Sequence, residues 1–324
     1  MLPPDLPAEL KSALAAKLEG LSRNDAAARA ALISQAYREG GTSRGIRSET
    51  DAIAYALARM PATYAAVVAS LNALRTVQTD LAPVTMLDIG AGPGTASFAA
   101  AAAFPSLMNF TLLDDNDALR ALALELAGGS DRLDRADYRK GGAVGLLAEA
   151  DPADLVIASY VVGEMAERER AELAWHKARD TLLVVEPGTP AGYARILALR
   201  DQLIASGAHV AAPCPHQQKC PLAAPDWCHF VQRLPRSRAH KQVKSAEVPF
   251  EDEKFIYLAL SKQLPTHRPA ARVLAPPQVS KVGATAKLCG ADGALRIMTT
   301  PRRDKGAYAA ARRWGWGDAV DPNP

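Results

Sequence analysis

Apolar residues recur at helical spacing through the first quarter of the chain. The runs Leu10–Leu21, Asp25–Glu39 and Thr50–Leu74 each place them three and four apart, which predicts three helices. Pro61 is expected to break or kink the third helix, because its ring removes a donor and crowds the preceding turn. From Val84 the pattern changes to short apolar runs at Val84–Ile89, Asn109–Leu113, Leu155–Val162 and Thr181–Val185. Helical stretches at Thr95–Ala103, Ala118–Ala127, Glu167–Arg179 and Ala191–Ser206 alternate with them. Such alternation predicts a parallel sheet covered on both faces. One more strand is expected between Leu126 and Asp154, where polarity hides its position. The pattern lapses after Gly207, then resumes at Cys228–Arg233 and Lys254–Ser261, read as the last strands of the sheet. Gln263–Gln278 is Pro-rich and reads as a linker. Ala286–Cys289 and Leu295–Thr299 flank Gly290-Ala-Asp-Gly293, a hairpin signal, and Tyr308–Trp316 closes this small appendage.

The expected organisation is therefore a helical N-terminal domain at 1–79, an α/β core at 80–262, and a linker with a basic, β-rich C-terminal region at 263–324. A length of 324 residues accommodates such modules, of which one is large enough for a full α/β core. No uninterrupted run of about 18 uncharged apolar residues is present, so no membrane partner is expected. The opening Met1-Leu-Pro-Pro-Asp5 lacks a basic segment leading into an apolar one, and a cytoplasmic location is the expectation. Charge changes the picture more. From Ala191 onward 20 Lys and Arg face 10 Asp and Glu, whereas 18 face 25 before it. A basic half of this kind recruits polyanions, which makes nucleic acid a candidate partner.

The strongest local signal is Met86-Leu-Asp-Ile-Gly-Ala-Gly-Pro-Gly-Thr95. A buried strand runs into Gly90, Gly92 and Gly94, which permit a tight turn, and a helix begins at once with its orphan N–H groups toward a ligand. A second strand ends at Asp114, 20 residues past Gly94, where a carboxylate can take both hydroxyls of a ribose. The Gly-x-Gly-x-Gly spacing differs from the dinucleotide Gly-x-Gly-x-x-Gly. Asp88, two residues before the first glycine, suits the cationic S-adenosylmethionine better than a pyrophosphate. The expected fold is thus a Rossmann-like, class I methyltransferase α/β core with Asp88, Gly90, Gly92, Gly94, Asp114 and Tyr160 around the cofactor. Ser159, Tyr160 and Glu164 follow the strand opened by Asp154, and Glu186-Pro-Gly188 ends the next one; both sites should border the pocket. Asp137 is a candidate for the adenine amine and equally a surface acid.

Cys214, Cys220 and Cys228 fall within fifteen residues of a Pro-rich stretch, and Cys289 lies at the hairpin. Thiols gathered in an irregular loop point to a metal that orders it. Four thiolates suit either zinc or an iron–sulfur cluster, and the spacings match neither the zinc ribbon nor the ferredoxin run. His216 and His229 could replace Cys289 in a zinc site. Cys289 as fourth ligand would pin the β appendage to the core. The stretch Arg233, Arg236, Arg238, Lys241 and Lys244 with His240 is a candidate RNA contact, followed by Arg302, Arg303 and Lys305, and by Arg312 and Arg313 beside Trp314 and Trp316.

With these residues in place the chain resembles the Rsm22 family, methyltransferase-like proteins of the small ribosomal subunit in mitochondria and bacteria. The resemblance runs from about Ile46 onward and rests on Leu87–Thr95, Glu186-Pro-Gly188, Pro213-Cys-Pro-His216, Cys220-Pro-Leu222, Trp227-Cys-His-Phe230, Cys289 and Trp316-Gly-Asp318. It implies a 4Fe–4S cluster on Cys214, Cys220, Cys228 and Cys289. It also implies S-adenosylmethionine at the glycine turn and action on small-subunit ribosomal RNA or a pre-ribosomal particle; off the ribosome a monomer is expected. Ala158-Ser-Tyr-Val stands where amino-methylating enzymes often carry Asn-Pro-Pro-Tyr, which leaves the methylated atom open. Two functions follow as expectations: methyl transfer to ribosomal RNA, or a non-catalytic assembly factor.

Overall fold

The computed structural model describes residues 1–19, 21–39, 41–163 and 168–320. The chain opens with three helices, α1 (Ala8–Glu19), α2 (Arg23–Arg38) and α3 (Glu49–Val77), with a single 3-10 turn at Ser43–Gly45 before α3. Ser48 and Asp51 form a capping box that starts α3. α3 runs unbroken through Pro61, so of the break or kink expected there the break does not occur. An interior proline costs about 3 kcal/mol. Leu57, Met60, Tyr64, Val67, Leu71 and Leu74 are all buried, at about 1.5–3 kcal/mol for each large side chain. Packing therefore outweighs the proline. By length and composition α3 could cross a membrane, yet 72% of its most apolar window is buried inside the protein.

The α/β core follows as β1 (Thr85–Ile89), α4 (Thr95–Ala103), β2 (Asn109–Asp114), α5 (Asp117–Ala127), β3 (Asp137–Lys140), α6 (Ala143–Glu149), β4 (Ala153–Ser159), α7 (Arg168–Lys177), β5 (Ala178–Pro187) and α8 (Pro190–Ala205). Its last strands are β6 (His209–Ala212), β7 (Phe230–Pro235) and β8 (Phe250–Ser261), with α9 (Arg238–Val243) between β7 and β8. The strand order is β3-β2-β1-β4-β5-β8-β6, and β7 also pairs with β8. β1 to β5 are mutually parallel, whereas β8 is antiparallel to β5. This is the Rossmann-like class I methyltransferase fold, with the order reversing between β1 and β4. β8 reaches its length by pairing its first half with β7 and its second with β6.

Alternation along each strand separates two cores. Met86 of β1 faces α1 to α5, while Leu87 and Ile89 face α6 to α8. The N-terminal helices share the first of these cores with the sheet.

A second sheet, ordered β11-β10-β9-β12, is built from β9 (Ala271–Val279), β10 (Gly283–Gly290), β11 (Leu295–Pro301) and β12 (Ala319–Val320), with α10 (Lys305–Ala311) against it. The hairpin around Gly290–Gly293 forms as expected, with Cys289 opposite Leu295. The expected linker does not: β9 occupies its second half, with Arg272 and Val273 buried. Pro276 and Pro277 obscured this strand. They fall in the irregular stretch between Ala275 and Gln278, where no residue needs a ladder donor.

Candidate functional site

The glycine turn sits at the C-terminal end of β1, at the point where strand order reverses. Gly90, Gly92 and Gly94 all adopt left-handed φ angles, of 67°, 54° and 79°. The backbone N–H groups of Gly90 and Ala91 donate to Leu113 O, which fastens the turn to β2. Gly94 is the N-cap of α4 and offers no side chain to its first N–H groups. Asp114 accepts from Gly92 N at 2.7 Å and from Asn116 N at 2.8 Å, one bond to each carboxylate oxygen. Each oxygen keeps a lone pair for a hydroxyl. Tyr138, which no sequence motif marks, donates its hydroxyl to Gly92 O at 2.7 Å and props the turn from β3. Asp88 lies beneath the turn, fully buried, accepting from Ser97 Oγ at 2.8 Å while its Oδ1 has no side-chain partner among the described residues. Burial pushes its carboxyl up to about 7 despite the Ser97 bond. Asp137 is exposed and paired with Arg139.

Beside the turn, a cleft of about 290 Å³ is lined by Arg44, Ile46, Arg47 and the residues 115–118 after β2. Asn116 closes one wall by donating to the carbonyls of Ser43 and Ile46 at 2.8 and 2.9 Å. The turn between α2 and α3 thus lies against the strand end that carries Asp114.

Across the reversal point, Tyr160 has a φ of 58°, an unusual conformation for an aromatic residue. Its hydroxyl donates to Glu253 at 2.8 Å, and Arg59 of α3 contacts the same carboxylate at 3.2 Å. Glu186 is almost wholly buried and accepts from Val162 N at 3.1 Å and from Arg195 Nε at 2.7 Å. Burial raises the titration points of both Glu186 and Tyr160. Arg59, Glu253 and Arg195 come from three distant segments, and no local motif could have announced them. Glu164 lies outside the described residues.

A second centre forms where β6, the 213–228 loop, α8 and the hairpin meet. Cys214, Cys220, Cys228 and Cys289 line one cavity of about 40 Å³ together with Tyr193, Arg200, His216 and Arg272. All four are free cysteines. Tyr193 donates to Cys220 Sγ at 3.2 Å, and His216 Nε2 lies 3.3 Å from Cys289 Sγ. Burial and the neighbouring thiols raise Cys214 and Cys228 and push Cys289 up to about 12. Among the described residues, no three His, Cys, Asp or Glu are gathered as a single-ion site. His229 is not at the cavity; it stacks between Trp227 and Trp316 at 5.4 and 5.0 Å. Four thiols line one cavity, Cys289 buried and the other three half-buried, and with guanidinium groups beside them they are a donor set that fits an anionic metal–thiolate group.

The basic stretch is built on regular structure. It spans the end of β7 and α9, capped by Ser237. Arg233 makes a bidentate pair with Asp252 at 2.7 and 2.8 Å, and Arg236 and Lys244 both contact Glu251. Burial works against ionised Glu251, but hydrogen bonds from His240 and Lys244 hold it far below the usual carboxylate range. Arg238 and Lys241 have no acidic partner among the described residues.

Residues 49–321 match the model of the family described as mitochondrial small ribosomal subunit Rsm22. The human "Ribosome assembly protein METTL17, mitochondrial" is 28% identical over 291 residues, covering 83% of this chain and 62% of that protein. "Rsm22-cox11 tandem protein 2, mitochondrial" of Schizosaccharomyces pombe is 25% identical over 329 residues, covering 84% and 43%. The chain therefore spans about half the length of these relatives. Among solved structures, a precorrin-6Y C5,15-methyltransferase from Geobacter metallireducens overlaps with a TM-score of 0.41 at 14% identity, covering 60% of this chain and 86% of that one. An O-methyltransferase from Bacillus cereus gives 0.36 at 15%, covering 62% and 80%. The fold assignment stands on strand order and direction, and the family on the match to residues 49–321: this chain belongs to the Rsm22 family of the small ribosomal subunit.

Proposed function

We propose that the chain binds S-adenosylmethionine at the glycine turn and acts on small-subunit ribosomal RNA during assembly, with a metal centre on its four cysteines as a structural staple. The observation that carries the cofactor reading is the turn itself. Three left-handed glycines, an uncapped helix start and Asp114 meet at the reversal of strand order. Gly90, Gly92 and Gly94 let the backbone approach the cofactor, Asp114 takes the ribose, and the first N–H groups of α4 take the amino-acid carboxylate. Asp88 acts from below by holding Ser97 and the start of α4. Methyl transfer needs little more from a protein than alignment and a dry, suited pocket.

Four thiolates on Cys214, Cys220, Cys228 and Cys289 would hold a 4Fe–4S cluster, which supplies covalent bracing between the core and the hairpin. Membership of the family favours the cluster over zinc, and either centre would draw on the same four thiolates.

The partner reading draws on the family and on the human relative, whose name makes it a ribosome assembly protein. Arg238 and Lys241 are the basic groups left for phosphate on the α9 face, with Arg233, Arg236 and Lys244 holding that face to β8. A non-catalytic assembly role has one observation in its favour. Tyr160 and Glu186, which border the pocket, are both engaged in internal bonds. Isothermal calorimetry with S-adenosylmethionine, followed by transfer of a labelled methyl group to small-subunit RNA, separates the readings. Binding with transfer supports the enzyme, binding without transfer the assembly factor, and no binding rejects the cofactor site.

A further inference from the structure

Two guanidinium groups reach the thiol cavity, Arg200 from α8 and Arg272 from β9. Both are almost wholly buried, at 2% and 3% exposure. Arg200 donates Nη2 to the carbonyls of His216 and Gln218 at 3.1 and 2.7 Å, and its Nη1 lies 3.1 Å from the exposed carboxylate of Asp201. Arg272 donates Nε to Pro213 O and Nη1 to Gly317 O, each at 2.8 Å. Among the described residues, Arg200 Nε and Arg272 Nη2 are buried with no nitrogen or oxygen partner, and Arg200 lies within reach of the Cys214 thiol. Arg272 faces no carboxylate among the described residues. A guanidinium does not shed its proton, so burying it this way is costly unless an anion lies within reach.

Protonated thiols provide no such anion. Four thiolates around a doubly charged centre do: M²⁺ and four RSH give M(SR)₄²⁻ and four protons, whether M²⁺ is zinc or a preformed [4Fe–4S]²⁺ unit. The resulting charge of two minus faces both guanidiniums, of which Arg200 has Asp201 at its outer edge and Arg272 pairs with no carboxylate among the described residues. We propose that Arg200 and Arg272 are the built-in counter-cations of a dianionic metal–tetrathiolate centre, completing their hydrogen bonding on its sulfur atoms. This rests on the reading of Cys214, Cys220, Cys228 and Cys289 as ligands. The two arginines also pin the 213–218 loop through its carbonyls, so the charge and the pinning have to be separated experimentally. Charge and hydrogen bonds to sulfur set both the retention and the potential of such a centre.

The test uses full-length protein purified without oxygen, with iron, acid-labile sulfide and zinc counted. Arg200→Lys and Arg272→Lys keep the charge and lose the planar fork; the Gln variants lose the charge. Circular dichroism confirms folding, and metal loss to excess chelator is timed. The Lys variants should lose metal at close to the wild-type rate and the Gln variants at least tenfold faster. Where iron is found, titration with dithionite adds a second reading. Reduction of the Gln variants by one electron should be at least tenfold less favourable, about 59 mV lower. If a Gln variant does not fold, the Lys pair still decides, because rapid loss there makes the arginines pins rather than counter-cations. Gln variants that retain metal as long as wild type overturn the proposal while leaving the centre intact. A folded wild-type protein without metal overturns both.

Discussion

Gly90 and Gly92 share a left-handed backbone but should fail in different ways when a side chain is added. A Cβ on Gly90 would sit 2.4 Å from Val161 Cγ2 and 2.8 Å from Val161 Cβ, so Val161 and the chain after β4 must move. Left-handed strain of about 1–2 kcal/mol and overpacking of about 1–3 kcal/mol give Gly90→Ala a loss of roughly 2–5 kcal/mol. A Cβ on Gly92 meets only Leu119 Cδ1, at 3.9 Å, so Gly92→Ala should cost the strain alone. Gly92→Val adds bulk at the proposed cofactor turn and should weaken S-adenosylmethionine at least tenfold, about 1.4 kcal/mol, in a protein that still folds. Urea denaturation reads the first effect and calorimetry the second. If Gly92→Val binds the cofactor as wild type does, the turn is not the cofactor site. If Gly90→Ala is no less stable than Gly92→Ala, the packing against Val161 has been misjudged.

Asp88 ionises only at about pH 7 in the folded protein against a usual 3.8, so the folded state binds the extra proton between those values. Its contribution should therefore fall as pH rises from about 4 to about 7, by roughly 4 kcal/mol in all. Comparing wild type with Asp88→Asn across that range should show the gap growing in favour of the variant; a constant gap means Asp88 titrates normally. On the α9 face, Arg238→Glu with Lys241→Glu should reduce both RNA affinity and its salt slope, whereas Arg233→Glu mainly disturbs the Asp252 pair. Equal effects from both changes would place the RNA contact elsewhere. Cys220→Ser should lose metal and soluble yield together, and a metal-free variant of normal stability would make that thiol incidental.

The core was legible wherever burial was two-sided. β1, β2, β4 and β5 appear in the sequence as apolar runs because helices cover both faces of the sheet. β3 is a short edge strand with only Tyr138 buried, so Asp137, Arg139 and Lys140 mask it. β6 has four residues and β9 carries two prolines, so neither gives a periodic signal. The glycine turn was readable because positive φ demands a residue type. The four cysteines were readable as a group, but not the arginines beside them. Arg200 looks like any helix surface residue, and only the packing of α8 against the 213–218 loop buries it. The basic stretch was read as free charge because its neutralising acids, Glu251 and Asp252, lie on β8 beyond an intervening helix.

The most direct test of the whole account is to recover the RNA that the protein touches. Cells expressing tagged protein would be irradiated, the cross-linked RNA sequenced, and the reads mapped to every ribosomal and transfer RNA. The account predicts reads concentrated in one region of small-subunit ribosomal RNA and reduced by changing Arg238 and Lys241 to Glu. Reads spread evenly over cellular RNA, or gathered on transfer RNA, would contradict it.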